Sequence, residues 1–110
     1  MFSIMDENEQ LAGLINKDLG DPDEGLLIPV SGIDRSEIHQ KLSGMIAYLI
    51  ERHFERLCQA MYRLDVSERR FHQVMNEKPL GEIPGALADL VIEREMQKIH
   101  TRRMYKSGQL

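Results

Sequence analysis

Apolar residues between positions 34 and 64 recur every three or four residues, which is the spacing of one face of an α-helix. The segment contains no proline, and Gly44, its one glycine, is a candidate for a bend or a close helix crossing. The pattern predicts one long helix over residues 34–64. Its apolar stripe consists of Ile38, Leu42, Met45, Ile46, Leu49, Ile50, Phe54, Leu57, Cys58, Met61 and Leu64.

The start of this helix has a sequence signature of its own. Asp34 and Glu37 have the spacing of a capping box, in which each side chain accepts a hydrogen bond from the backbone N–H of the other residue. A helix of this length extends roughly 45 Å at about 1.5 Å per residue. A compact chain of this size has a diameter of roughly 35 Å. The helix is therefore expected to bend, to project, or to lie against a second copy of the chain.

Three further helices are predicted. Residues 7–19 follow a second D-x-x-E start and stop at Gly20, and residues 66–76 follow a corner at 65–68. The final helix is predicted over 84–106, after a connector punctuated by prolines and glycines. Val66, Phe71, Val74 and Met75 are expected to be the buried residues of the short helix.

Between the first two helices, residues 26–33 are apolar but contain Pro29 and Gly32, so an extended strap on the core is predicted there and not a strand. Residues 1–33 are thus predicted to form an acidic N-terminal helix followed by an extended strap. The whole chain, 1–110, reads as a single all-α domain: a small helical bundle dominated by one long central helix, and dimeric.

Charge is unevenly placed along the chain, whose net charge is −4. Residues 1–37 carry nine acidic and two basic side chains, a net of −7, and residues 38–110 carry nine acidic and twelve basic ones, a net of +3. The acidic front and the basic tail are expected to attract each other, within one chain or between chains.

The cellular compartment is predicted from the absence of a cysteine pair, a signal peptide and a membrane span in the sequence. Cys58 is the single cysteine, so no disulfide within the chain is possible, and packing is a commoner role than reactivity for such a residue. The first ten residues contain Asp6, Glu7 and Glu9 and no basic residue, unlike a signal peptide, and no apolar run approaches the length of a membrane span. These features predict a cytoplasmic protein that does not contact a membrane.

No constellation of residues predicts catalysis. The four histidines (His39, His53, His72 and His100) show neither the E-x-x-H nor the H-x-x-x-H spacing that aims two metal ligands from one helix, although a site gathered from different helices stays open. Carboxylate pairs such as Glu51–Glu55 and Glu93–Glu95 are expected on solvated, charged faces. We therefore predict a non-enzymatic protein with no catalytic residue, cofactor or metal.

The function predicted from this pattern is a helical protein-interaction or adaptor module. Its long helices are expected to pair in a homodimer, since a two-fold interface uses the same patch on both copies. The predicted interface residues are Met45, Leu49, Ile50, Phe54, Leu57 and Met61. The protein partner cannot be named from the sequence.

A DNA- or RNA-binding regulator is the alternative. Residues 57–75 loosely resemble a helix-turn-helix, but Met61 and Asp65 stand where a small residue and a glycine are usual. The net negative charge also removes the general attraction to phosphate. In this alternative the nucleic-acid contacts are Arg69, Arg70, Arg102, Arg103 and Lys106.

Overall fold

The computed structural model describes residues 6–106 and 108 and confirms the all-α class. Apart from an isolated bridge between Asp21 and Leu26, these residues form no β-structure. The helices are α1 (Glu7–Leu19), α2 (Arg35–Arg52), α3 (Phe54–Leu64), α4 (Glu68–Glu77) and α5 (Ile83–Lys106), with short 3-10 turns at Pro22–Glu24 and Leu80–Glu82.

The helix predicted over 34–64 is not continuous, and that prediction is wrong. The chain leaves helical geometry at His53 (φ −146°, ψ 57°), which ends α2 and precedes α3. The reason is tertiary packing. Leu49 lies near the end of α2 and Leu57 near the start of α3, and both side chains belong to the same hydrophobic core. The break lets both lie in the core of one chain, where they are 2% and 0% exposed.

Polar contacts hold the break from outside. The Tyr48 hydroxyl donates to Glu24 Oε2 at 2.8 Å, and His53 Nε2 lies 3.1 Å from the same oxygen. Arg56 Nη2 lies 3.0 Å from Asp21 Oδ2. The hydrogen bond from Tyr48 lowers the pKa of Glu24 and raises the pKa of the tyrosine. The 3-10 turn before the strap therefore spans the α2–α3 junction.

Gly44 is not the position of the break. It lies inside α2, and a Cβ added there would meet nothing within 4 Å, so no close crossing requires the glycine. The short helix α4 also differs from expectation, because none of its residues is buried. Phe71, Val74 and Met75 are only partly covered, while Val66, which precedes α4, is buried.

The strap covers one side of the bundle. Leu26, Ile28 and Ile33 are buried in an extended stretch between the 3-10 turn and α2. Its backbone is fixed by one side chain of α1: Asn16 Nδ2 donates to the Ile28 carbonyl and the Ile28 N–H donates to Asn16 Oδ1, both at 2.8 Å. One amide thus satisfies two backbone groups that β-pairing would otherwise satisfy.

Helix α5 is the centre of the bundle, since α1, α2, α3 and α4 all pack against it. Its fully buried members include Leu87, Ala88 and Val91. The acidic front and the basic tail meet within the chain, where Arg103 Nη1 lies 2.9 Å from Glu7 Oε2. Attraction between the acidic front and the basic tail therefore contributes to the packing of α1 on α5.

The capping box at the start of α2 is formed and supplies a first test. Glu37 N donates to Asp34 Oδ1 at 2.8 Å, and Asp34 N donates to Glu37 Oε1 at 3.4 Å. We expect Asp34→Ala to lower the free energy of unfolding by about 1 kcal/mol, because the first turn of α2 loses its cap. Urea unfolding followed by circular dichroism measures this. Ser36→Ala, an exposed change in the same turn, is the control, and equal losses in the two variants would contradict the assignment.

Candidate functional site

Most of the predicted dimer interface is inside the folded chain. Four of the six residues are buried in the chain's own core: Met45, Leu49, Leu57 and Met61, between 0% and 6% exposed. Ile50 is partly covered, and Phe54 is 42% exposed. The prediction of one continuous interface along these six residues is therefore wrong, because the break at His53 turns their stripe inward. Phe54 is the member that stays at the surface.

A different apolar ridge is exposed on α3. Phe54, Cys58 and Tyr62 follow one another at intervals of four residues, and Tyr62 is 77% exposed. Cys58 is half-buried between them. Side chains at i, i+4 and i+8 form one of the ridges with which helices pack against each other. We call these three residues the α3 ridge.

A groove runs beside the α3 ridge, between α3 and α4. Its volume is about 260 Å³, and its lining residues are Cys58, Met61, Tyr62, Val66, Glu68, Phe71 and His72. Small-molecule sites usually exceed about 300 Å³. The groove therefore suits a side chain of another protein better than a cofactor. Together the ridge and the groove make up the candidate site, which we call the outer face.

Two of the five basic residues of the nucleic-acid alternative are paired with carboxylates. Arg70 makes a two-pronged contact with Glu93, both oxygens at 2.9 Å, which raises the pKa of the arginine and lowers that of the carboxylate. Arg103 is paired with Glu7. Arg69, Arg102 and Lys106 are exposed.

The two paired arginines are also spaced along the length of α5. Arg70 is held at Glu93, and Arg103 lies ten residues farther along α5, which is about 15 Å at the rise of an α-helix. Carboxylates neutralise both arginines at these places. The corner does have helix-turn-helix character in one respect: Asp65 takes the left-handed conformation (φ 62°) in which glycine is usual.

The histidines contact carboxylates and backbone. His39 Nε2 lies 3.0 Å from Asp89 Oδ1 and 3.1 Å from the carbonyl of Gly85, and His100 lies 3.6 Å from Glu7. His72 lines the groove. Over residues 6–106 and 108, no three histidine, cysteine or acidic side chains come together as a set that could hold a metal ion.

A buried acidic cluster lies between α1 and α5, and sequence reasoning missed it. Glu95 is fully buried, which corrects the expectation that Glu93 and Glu95 both face solvent. The Nζ of Lys98 lies 3.7 Å from Asp18 Oδ2 and 3.7 Å from Glu95 Oε1. Within the described residues, Asp18 Oδ2 and both Glu95 oxygens are buried without a hydrogen-bond partner.

Burial is the largest cause of a raised pKa at Glu95, which reaches about 8. The neighbouring Asp18 carboxyl adds to the rise, and Lys98 opposes it. A signal was present in the sequence, because Glu95 is four residues from both Val91 and Ile99 and so shares their buried stripe. Glu93, two residues away, faces the surface and Arg70.

Comparisons with known proteins identify no relative: no family model matches the chain, and neither a curated protein nor a solved structure matches it. Within residues 6–106 and 108, no helix combines the length and the apolar character needed to cross a membrane. The candidate function therefore depends on the geometry of the outer face.

Proposed function

We propose that this protein is a helical interaction module, and that the occupant of its outer face is a second copy of the same chain. The observation that supports this is the α3 ridge, which carries two exposed aromatic side chains, Phe54 and Tyr62, on either side of a small central residue. Exposed aromatic residues beside a groove are typical anchors of protein interfaces.

The ridge is complementary to itself. In a two-fold pair of antiparallel α3 helices, Cys58 meets Cys58 of the partner subunit, and Phe54 meets Tyr62 of the partner subunit. Ridges at four-residue spacing pack at a crossing angle near −50° with the axes about 8–10 Å apart. Cysteine at the crossing point is small enough for that approach. Each Phe54 then lies next to the groove that Tyr62 and Phe71 line on the other copy.

The available surface is large enough for such a pair. A standard interface covers about 800 Å² of each partner, roughly a ninth of the 7229 Å² of this chain. Helices α3 and α4 comprise 11 and 10 residues, about a fifth of the 110. A dimer of standard size centred on Cys58 therefore covers the outer face and extends onto the exposed residues around it. We expect the dimer to be reversible, and the surface outside it to be accessible to a further protein partner.

Phe54→Glu is expected to weaken the dimer at least tenfold. The change puts a charge into the apolar contact, but glutamate in the first turn of α3 is favourable to the helix. Sedimentation velocity between about 1 and 100 µM, the range of weak to moderate affinities, measures the dissociation constant. Tyr62→Glu is expected to act in the same way.

Tyr105→Glu is the matched control, because Tyr105 is 76% exposed and Tyr62 is 77% exposed. It is expected to dimerise like the wild type. Mild oxidation is a second measurement: axes 8–10 Å apart bring the two Cys58 Cα atoms within the range of a disulfide, about 4.4–6.8 Å. A covalent dimer is expected from the wild type and not from Phe54→Glu.

A wild type that is monomeric over this range, and that forms no disulfide, would refute the proposed dimer. A mobility shift on duplex DNA or on RNA at low salt, lost in Arg69→Ala and Arg102→Ala, would favour the nucleic-acid alternative instead. Arg102→Ala gives a separate answer, because Arg102 lies near the end of α5 and the outer face is formed by α3, α4 and the corner between them.

A further inference from the structure

We infer that Glu95 holds a proton beside Asp18 when α1 is packed on α5, and that this proton latches the two helices together, so that losing it raises the fraction of molecules in which α1 is open. The inference does not depend on the proposed dimer. It starts from the arrangement of three ionisable side chains at the contact between the two helices.

The geometry requires a proton. Two carboxyl groups face one ammonium group, with the Nζ of Lys98 3.7 Å from each, so the fully ionised cluster carries an uncompensated negative charge next to a fully buried Glu95. A buried carboxylate oxygen without a donor is costly. A proton on Glu95 removes the excess charge and gives Glu95 a donor that it can direct at Asp18.

The surrounding charged groups do not replace this proton. From α3, Arg63 Nη2 lies 3.4 Å from the backbone carbonyl of Asp18, and Arg56 lines the same crevice but pairs with Asp21. Lys17 lines that crevice from α1, and the contribution of α2 to it is the apolar Leu49. The charged contacts of α4 with α5 are made at Glu93.

The direction of the pH dependence follows from the two states of α1. When α1 is open, Glu95 is solvated and has its ordinary pKa of 4.5, and when α1 is closed its pKa is about 8. The latch therefore acts in full below pH 4.5. It weakens steadily as the pH rises, and its contribution is lost once the pH passes about 8.

Release of α1 would have a large consequence for the surface of the protein. The helix contributes Leu11, Ala12, Ile15 and Leu19 to the core, each between 0% and 4% exposed. Opening exposes these side chains and the part of α5 that they cover. The other end of α1 is held by Glu7, which pairs with Arg35 and Arg103. The latch is thus the pH-sensitive anchor at the Asp18 end of the helix.

Hydrogen exchange of the wild type at pH 6.0 and pH 8.5, corrected for intrinsic rates, tests the latch. The protection of α1 amides is expected to fall roughly 10- to 100-fold between these pH values, and that of α2 to fall less. Glu95→Gln keeps the neutral shape of the protonated acid, so its α1 protection should be nearly independent of pH. Asp18→Asn should weaken the dependence, and it serves as the second variant if Glu95→Gln does not fold.

Two control variants distinguish the effect of Glu95 from that of other ionisable side chains on α5. Glu93→Gln removes an exposed carboxyl from the same helix and should leave the pH dependence intact. His100 lies 3.6 Å from Glu7 at the other end of α1, so His100→Gln removes that contact and should retain the alkaline loss of protection. Protection of α1 that does not change with pH in the wild type, or that still changes in Glu95→Gln, would overturn the inference.

Discussion

Replacing Leu57 by alanine is expected to lower the free energy of unfolding by about 3–5 kcal/mol, without a selective effect on association. Leu57 is 0% exposed and lies in the core that α3 shares with α1 and α5. Removing its side chain loses the burial of the methyl groups and leaves a cavity that the helices fill only in part. Urea unfolding followed by circular dichroism measures the loss, provided that the dependence of the free energy of unfolding on urea concentration is the same in the two proteins.

The control for Leu57→Ala is Phe54→Ala, three residues earlier on the same helix. Phe54 is 42% exposed, so its truncation should cost at most about 1 kcal/mol of stability. Its effect should appear in the dissociation constant of the dimer instead. The opposite result, with Leu57→Ala leaving stability unchanged and abolishing the dimer, would restore the interface predicted from an unbroken helix.

The difference between these two residues shows where sequence reasoning stopped. Both belong to one apolar stripe, and period alone predicts that they face the same way. The sequence around His53 contains no glycine or proline, so local propensity gives no reason for a break. The break allows the apolar side chains on both sides of it to be buried in one core, which an exposed straight helix would not allow. Glu24 and Asp21, from a distant part of the chain, contact the two helices at the junction.

Helix starts were more predictable, because the chemistry that fixes them is local. Asp6 accepts a hydrogen bond from Glu9 N, and Asp34 from Glu37 N, both at 2.8 Å, as the D-x-x-E spacing predicts. The same spacing occurs a third time at Asp65–Glu68, where it behaves differently. Asp65 ends α3 in the left-handed conformation, and Ser67 caps α4 by accepting from Arg70 N at 3.3 Å. The spacing marked the corner but not the capping residue.

For the acidic cluster, the sequence contained a signal of burial that we interpreted wrongly. The position of Glu95 on a buried stripe was visible in the sequence, but its charge favoured an assignment to the surface. Charged residues are rarely fully buried unless they are paired. The partner, Asp18, is on α1, 77 positions earlier in the chain, and no local pattern connects the two. Buried ionisable pairs between distant helices have to be found in three dimensions.

Replacing Asn16 by alanine is the second change for which we expect a large loss, about 2–4 kcal/mol. The Asn16 amide both donates to and accepts from the backbone of Ile28, which is 3% exposed. Alanine leaves the N–H and the carbonyl of Ile28 without partners in a place where water does not easily reach them, and each unpaired buried group costs about 1–3 kcal/mol.

The position of the loss distinguishes this effect from general destabilisation. The Ile28 amide proton, observed by NMR, should exchange much faster in Asn16→Ala, while amides in the middle of α5 should follow only the change in global stability. Asn76→Ala, at an exposed position near the end of α4, is the control and should stay within about 0.5 kcal/mol of the wild type.

If Ile28 stays protected in Asn16→Ala, the strap is held by its apolar side chains alone. If it does not, one α1 side chain fixes the backbone of the segment that leads to α2. Because Asn16 and Asp18 are two residues apart on α1, release of that helix at alkaline pH should then also loosen the strap, and Ile28 should lose protection in the wild type over the same pH range as α1.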